Sequence, residues 1–233
     1  GVHIFAQAVY DRLHRGELPR TSLPEGGVVS DTLDQIRADG YEKVIAVMLS
    51  GGLSGTYNLV RVQAEQTEDL DIAVFDSRSG SLGIGIIVLQ LWEEIQAGAG
   101  WDKLIHERVP HLVDNTFPFF SVDTLEYLRR GGRIGRITAL AGTMLSIKPI
   151  ITFSEDGQLQ SIAKVRGRKQ VQDKIVELLR SKFRAGKRYN LGVANGGAPA
   201  EMAELSEKIR ARFPDFVHCW EGAMDATLSV YIG

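Results

Sequence analysis

Residues 43–56, K-V-I-A-V-M-L-S-G-G-L-S-G-T, limit the fold more than any other stretch. Residues 44–49 form an unbroken apolar run, which fits a strand buried on both faces. Ser50, Gly51, Gly52, Leu53, Ser54, Gly55 and Thr56 follow, and then a helical pattern over 57–64. A loop of small residues therefore leaves the carboxyl end of a buried strand and opens a helix. In open α/β sheets ligands bind at that place. The first N–H groups of a helix and its dipole favour an anionic oxygen there, and Ser54 and Thr56 add hydroxyl donors. The same residues serve equally well as a capping loop without a ligand, because serine at a helix start satisfies orphan N–H groups.

Three motif readings of this loop differ in how far they fit. No lysine follows the glycines, so it is not a P-loop, and G-x-G-x-x-G is out of register. Gly52-Leu53-Ser54 begins a nucleophile elbow, but Thr56 stands where G-x-S-x-G requires its second glycine. An α/β hydrolase using Ser54 remains an alternative, needing a histidine and an acid in space. A small-molecule or protein-binding module with no lipid is a third class.

Repeated strand–loop–helix units surround this stretch. A second buried strand is expected over 71–76, with residues 77–80 as its loop. Gly83 and Gly85 then open an apolar helix to about residue 96, both glycines serving close helix-to-sheet packing. Helices are expected over 4–14, over 30–38 with Ser30 or Asp31 as cap, and over 101–113 with Pro110 as a kink or stop. His106 and His111 lie five apart, off the i, i+4 spacing of a metal pair, so no metal site is expected. A third strand is expected over 117–122, then a helix over 125–130 capped by Asp123 or Thr124, and a short helix over 138–145. Such repeats imply an α/β domain with a mainly parallel sheet over 1–145.

The texture changes after that. Strands over 147–153 and 158–165 flank Asp156-Gly157, a hairpin signal. Helix 169–183, strand 189–194, helix 198–213 and strand 216–220 follow, and residues 229–233 read as the end of another strand. This gives an α+β domain over 146–233, with the boundary near Ser146. The first domain is expected to lack its first strand and the second to be truncated.

Composition bounds the function. A chain of 233 residues suits one large domain or two small ones. A net charge of −2 gives no bulk basic character for nucleic acid. The single cysteine, Cys219, excludes an internal disulfide and suits a reducing compartment, so a cytoplasmic location is expected. The longest apolar-rich stretch, residues 82–92, is too short to span a bilayer.

Five stretches, in order, resemble the DegV family of bacterial fatty-acid-binding proteins: Thr21-Ser22-Leu23-Pro24; Leu53-Ser54-Gly55-Thr56-Tyr57; Phe75-Asp76-Ser77; Leu125-Glu126-Tyr127-Leu128 running into Gly131-Gly132-Arg133-Ile134; and Ile147-Lys148-Pro149-Ile150. Residues 157–168 also fit, so the resemblance covers nearly the whole chain. It implies a two-domain α/β fold with a lipid tunnel between or within the domains. It implies one bound long-chain fatty acid such as palmitate, no cofactor, and a binding protein rather than a catalyst. The carboxylate is expected at Thr21 and Ser54, with Ser22, Gly55, Thr56 and Tyr231 as secondary headgroup contacts. The family also implies presentation of the carboxyl group to a separate fatty-acid kinase, which makes an acyl phosphate. Two basic groups stand out: Arg129, Arg130, Arg133 and Arg136, and Lys164, Arg166, Arg168 and Lys169. Cations at a helix end account for most of the first. Arg166 and Arg168 are the candidates for a kinase surface or a transient membrane contact. The sequence departs from the family at Leu23, where glutamine is usual, and at Tyr231, where the late His-x-Gly-Pro-Gly motif would begin.

Overall fold

The computed structural model of the chain describes residues 4–140 and 147–233. In chain order its elements are α1 (Ala6–His14), α2 (Gly26–Ala38), β1 (Lys43–Met48), α3 (Thr56–Glu65), β2 (Asp71–Asp76), α4 (Leu82–Gln96), α5 (Trp101–Lys103), a π turn (Leu104–Arg108) and α6 (Val109–Asp114). Next come α7 (Glu126–Arg130), a 3-10 turn (Gly135–Leu140), β3 (Ile147–Phe153), β4 (Leu159–Arg166), α8 (Lys169–Lys182), β5 (Leu191–Asn195), α9 (Pro199–Arg212), β6 (Cys219–Ala223) and α10 (Ala226–Ile232). The larger of two compact units comprises Gly1–Thr21, Phe117–Ser154 and Gln158–Gly233; the smaller comprises Ser22–Thr116 and Glu155–Gly157. A cut near residue 146 is not the division found. The α1 and α7 segments group with the later part of the chain, where α10 packs against both.

In the smaller unit β1 and β2 pair in parallel, from Lys43↔Asp71 to Met48↔Asp76. Ile87 and Leu91 of α4, with Leu104 and Val109, form a buried cluster against Ile45, Val47 and Phe75. The apolar run of β1 is half-buried rather than sealed on both faces. Among the described residues β1 pairs only with β2. Gly83 does allow close packing, since a Cβ there would lie 2.0 Å from the Ser79 hydroxyl; Gly85 faces open space. Around Pro110 the expected single helix is interrupted by the π turn. A proline lacks the N–H and needs room for its ring, and a widened turn supplies that room.

In the larger unit β3 and β4 form an antiparallel hairpin with a bulge between Ile150 and Ile151. Gly157, in the turn between them that groups with the smaller unit, has φ +74°. Parallel β5 and β6 follow, from Leu191↔Cys219 to Asn195↔Ala223. Leu191, Val193, Ile209 and Phe213 form the second buried cluster.

Four local expectations are corrected. Residues 117–122 form no strand: Phe120 makes one isolated antiparallel bridge to Ile151, and Pro118, lacking an N–H, supplies no donor for a ladder. The end of the chain is helical, because Asp225 Oδ1 accepts the Leu228 N–H and caps α10. Helix α2 starts at Gly26, ahead of Ser30 and Asp31, and the Ser30 hydroxyl instead bonds Gly26 O and Gln63. Strand β6 begins at Cys219, three residues after the expected start at Phe216. Of the short helix expected over 138–145, residues 141–146 lie outside the described residues.

Candidate functional site

Two hydroxyl-rich places carry the predicted site residues, one in each unit. In the smaller unit the loops at the carboxyl ends of β1 and β2 interlock. The Ser50 N–H donates to Ser79 O at 2.9 Å and the Ser77 N–H to Met48 O at 3.1 Å. Asp76 accepts from both loops: Oδ2 from the Gly51 N–H at 3.1 Å and Oδ1 from the Arg78 N–H at 2.8 Å. Ser50, Ser77 and Ser79 are buried, while Ser54 is half-buried at the mouth of the loop. The Ser54 hydroxyl shares a 2.8 Å hydrogen bond with the Thr56 hydroxyl and accepts the Thr56 N–H at 3.2 Å. Ser54 therefore satisfies the first N–H of α3 from one residue ahead of the N-cap, and one hydroxyl proton within the pair stays available to an acceptor. Gly55 is exposed at the N-cap of α3, with the Leu23 side chain 3.4 Å from where a Cβ on it would stand. Ser22 is exposed.

The larger unit holds Thr21 and Tyr231. Their hydroxyls form a short, part-buried hydrogen bond across 210 residues of chain. The Arg133 guanidinium lies over the Tyr231 ring, 5.0 Å from its centroid, and donates to Gly131 O at 2.7 Å. Gly131 is obligatory for this packing, since a Cβ on it would come within 2.3 Å of the tyrosine ring. Thus Thr21 and Tyr231 are brought together, as are Ser54 and Thr56, each pair within its own unit. Arg133 and Asp76, which organise these two places, were present only as letters in family stretches. Gly51, which Asp76 accepts from, and Tyr231, whose ring Arg133 covers, lie too far along the chain for spacing to indicate.

The basic groups resolve differently. Arg168 is a clamp: it donates to Asp123 at 2.6 Å and to Glu201 at 2.8 and 3.0 Å. The hydrogen bond to Glu201 is the main reason its pKa lies above the ordinary arginine value. Arg166 is exposed. Arg130 pairs with Glu126 one turn earlier. A groove of about 1130 Å³ runs through the larger unit, with Leu13, Phe120, Val122, Ile175, Met202 and Leu205 among its apolar walls. Arg168 reaches its rim, but Thr21 and Tyr231 do not line it. Among the described residues no group of three or more His, Cys, Asp or Glu side chains is placed to hold a metal ion. No helix there is long and apolar enough to cross a membrane.

Known proteins resemble this chain in sequence and in fold. Residues 1–233 match the family described as "Uncharacterised protein, DegV family". A DegV domain-containing protein of Clostridium acetobutylicum is 38% identical over 208 residues, which cover 89% of this chain and 73% of that protein. Among solved structures, a DegV family protein from Thermus thermophilus, described for its fatty acid binding, superposes with TM-score 0.89 at 25% identity, covering 99% of this chain and 81% of that one. DegV from Bacillus subtilis, a fatty acid binding protein, superposes with TM-score 0.88 at 27% identity, covering 100% and 82%. Matched along its whole length by the family and by these structures, the chain belongs to the DegV family.

Proposed function

We propose that this protein binds one long-chain fatty acid whose carboxylate accepts from the Ser54–Thr56 hydroxyls, with the Thr21–Tyr231 hydroxyls as the second candidate donor pair. The observation that carries the reading is the Ser54 loop: a hydroxyl pair at the first turn of α3, at the carboxyl end of a parallel strand. That is where N–H groups and the helix dipole favour a carboxylate. The likeness to fatty acid binding DegV proteins from Thermus thermophilus and Bacillus subtilis supports it further. So does the partner of Ser54: its hydroxyl is hydrogen-bonded to Thr56 rather than to a histidine base, which favours binding over ester hydrolysis. The acyl chain supplies most of the affinity. Burial yields ~0.8 kcal/mol per methylene, so about fourteen methylenes give at most ~11 kcal/mol before the costs of association. The headgroup bonds, ~1.5–3 kcal/mol each when charge-assisted, fix orientation.

The protein acts in this reading as a cytoplasmic carrier. It presents the carboxyl group to a separate kinase that forms the acyl phosphate, with transient membrane contact for loading. Native mass spectrometry of the purified protein should find a fatty acid of about fourteen to eighteen carbons, since a shorter tail buries too few methylenes. Protein that is free of lipid and fails to take up palmitate overturns the reading. For the partner surface, Arg166→Glu is the clean variant, because Arg168 is already engaged by Asp123 and Glu201. It should impair acyl-phosphate formation and spare palmitate binding; unchanged turnover would make Arg166 a solvated cation only.

A further inference from the structure

Beneath Ser54 lies a residue with every polar group committed. Ser50 has no exposed surface. Its carbonyl accepts the N–H groups of Leu53 at 3.0 Å and Ser54 at 3.1 Å, and its own N–H donates to Ser79 O at 2.9 Å. Its hydroxyl accepts the Gly52 N–H at 3.3 Å and donates to the Gly157 carbonyl at 2.6 Å. That last bond ties the loop to the β3–β4 turn, 107 residues away. Gly157 sits close because it is glycine: φ is +74°, and a Cβ there would lie 2.2 Å from the Ser50 hydroxyl.

We propose that Ser50 and Gly157 are positioning residues for the Ser54 headgroup contact. The inference rests on the reading that Ser54 donates to a fatty-acid carboxylate. The turn carbonyl holds the Ser50 hydroxyl, and that hydroxyl holds the Gly52 N–H. The Ser50 carbonyl then directs the Ser54 N–H and so sets where the Ser54 side chain points. A polar group needed only to fill the core would affect all ligands equally. A group that aims a donor affects a carboxylate more than a ligand lacking the charge, since bonds to charged groups are the stronger ones.

The test compares palmitate with 1-hexadecanol on Ser50→Ala, Gly157→Ala, their double variant and Ser54→Ala. Ser50→Ala should weaken palmitate about tenfold and hexadecanol about twofold or less. Gly157→Ala should show the same preference, and the double variant should be no worse than the worse single one, because both cut one link. If Ser54→Ala discriminates acid from alcohol while Ser50→Ala weakens both alike or neither, Ser50 is a core residue and the proposal falls, leaving the site reading intact. If Ser54→Ala does not discriminate, the site reading falls and the role of Ser50 with it. Amide exchange in the unaltered protein gives an arm that needs no variant. The Leu53 and Ser54 amides should be protected in the lipid-free protein, and exchange at open-loop rates would overturn the proposal.

Discussion

Tyr231→Phe tests the Thr21–Tyr231 pair as a proposed carboxylate contact most directly. The two hydroxyls of Thr21 and Tyr231 carry two protons between them, and their mutual hydrogen bond uses one. The other is left for a carboxylate oxygen. Phenylalanine removes the phenol but keeps the ring, so the Arg133 guanidinium retains the face it covers at 5.0 Å. What is lost is one charge-assisted donor, together with the partner of a part-buried threonine hydroxyl. The expected loss of palmitate affinity is ~1–3 kcal/mol, about five- to 150-fold. Thr21→Val, of similar shape, removes the other member and should cost a similar amount.

The double variant should cost little more than the larger single one, since the pair acts on one acceptor as a unit. Isothermal titration with palmitate and 1-hexadecanol reads the cycle, and the alcohol should lose less than ~1 kcal/mol at each step. Strict additivity with the acid, or equal losses for both ligands, would return Thr21 and Tyr231 to a structural bond between α10 and the residues after α1.

Three further outcomes follow from the packing. Arg108, through two hydrogen bonds of 2.7 and 2.8 Å, holds the Glu94 carboxyl below its ordinary pKa of 4.5, with burial opposing. A depressed folded-state pKa means stability present above the unfolded value and lost as pH falls through the folded one. The excess stability over Glu94→Gln, ~1–2 kcal/mol at neutral pH, should hold to about pH 5 and then close; urea titrations showing a constant gap into strong acid would refute it. Asp225→Ala removes the cap of α10 and should lower stability by ~0.5–2 kcal/mol, with no change in the urea melt as the refuting result. Gly131→Ala places a methyl within 2.3 Å of the Tyr231 ring, so it should cost ~1–3 kcal/mol and reduce the preference for acid over alcohol; an unchanged preference would mean the ring's position does not matter to the headgroup.

The fold was legible where local chemistry decides structure. Strand β3 falls on the expected 147–153, and Asp156-Gly157 makes the turn after it, because a positive φ at glycine is a local property. The parallel β1–β2 pair follows from two apolar runs joined by a helical segment. Failure came where one residue overrules a pattern. The phenylalanines of 117–122 have strand character, but Pro118 cannot donate to a ladder, and its carbonyl instead accepts from the Thr152 hydroxyl at 2.7 Å. The apolar Val230-Tyr231-Ile232 run has β-branched and aromatic character as well. Asp225 outweighs it by satisfying the first turn of a helix, a signal five residues upstream of the run.

The candidate site divides along the same line. Ser54 and Thr56 are two residues apart, so their shared hydrogen bond and their place at a helix start could be anticipated from spacing. Ser50 is of the same residue type in the same loop, yet nothing near it marks it as different from Ser54. Its distinction is the Gly157 carbonyl, which the fold brings to 2.6 Å across 107 residues. Tyr231 likewise acquires its meaning from Thr21 and Arg133, which approach it only in the folded chain. A tyrosine in place of the family histidine reads as a lost contact in one dimension. In three dimensions the phenol keeps a hydroxyl partner on one side and a guanidinium over its ring, so a neutral donor stands beside a fixed cation. If a carboxylate binds there as proposed, that combination offers it a hydroxyl donor with positive charge nearby, as a protonated imidazole would.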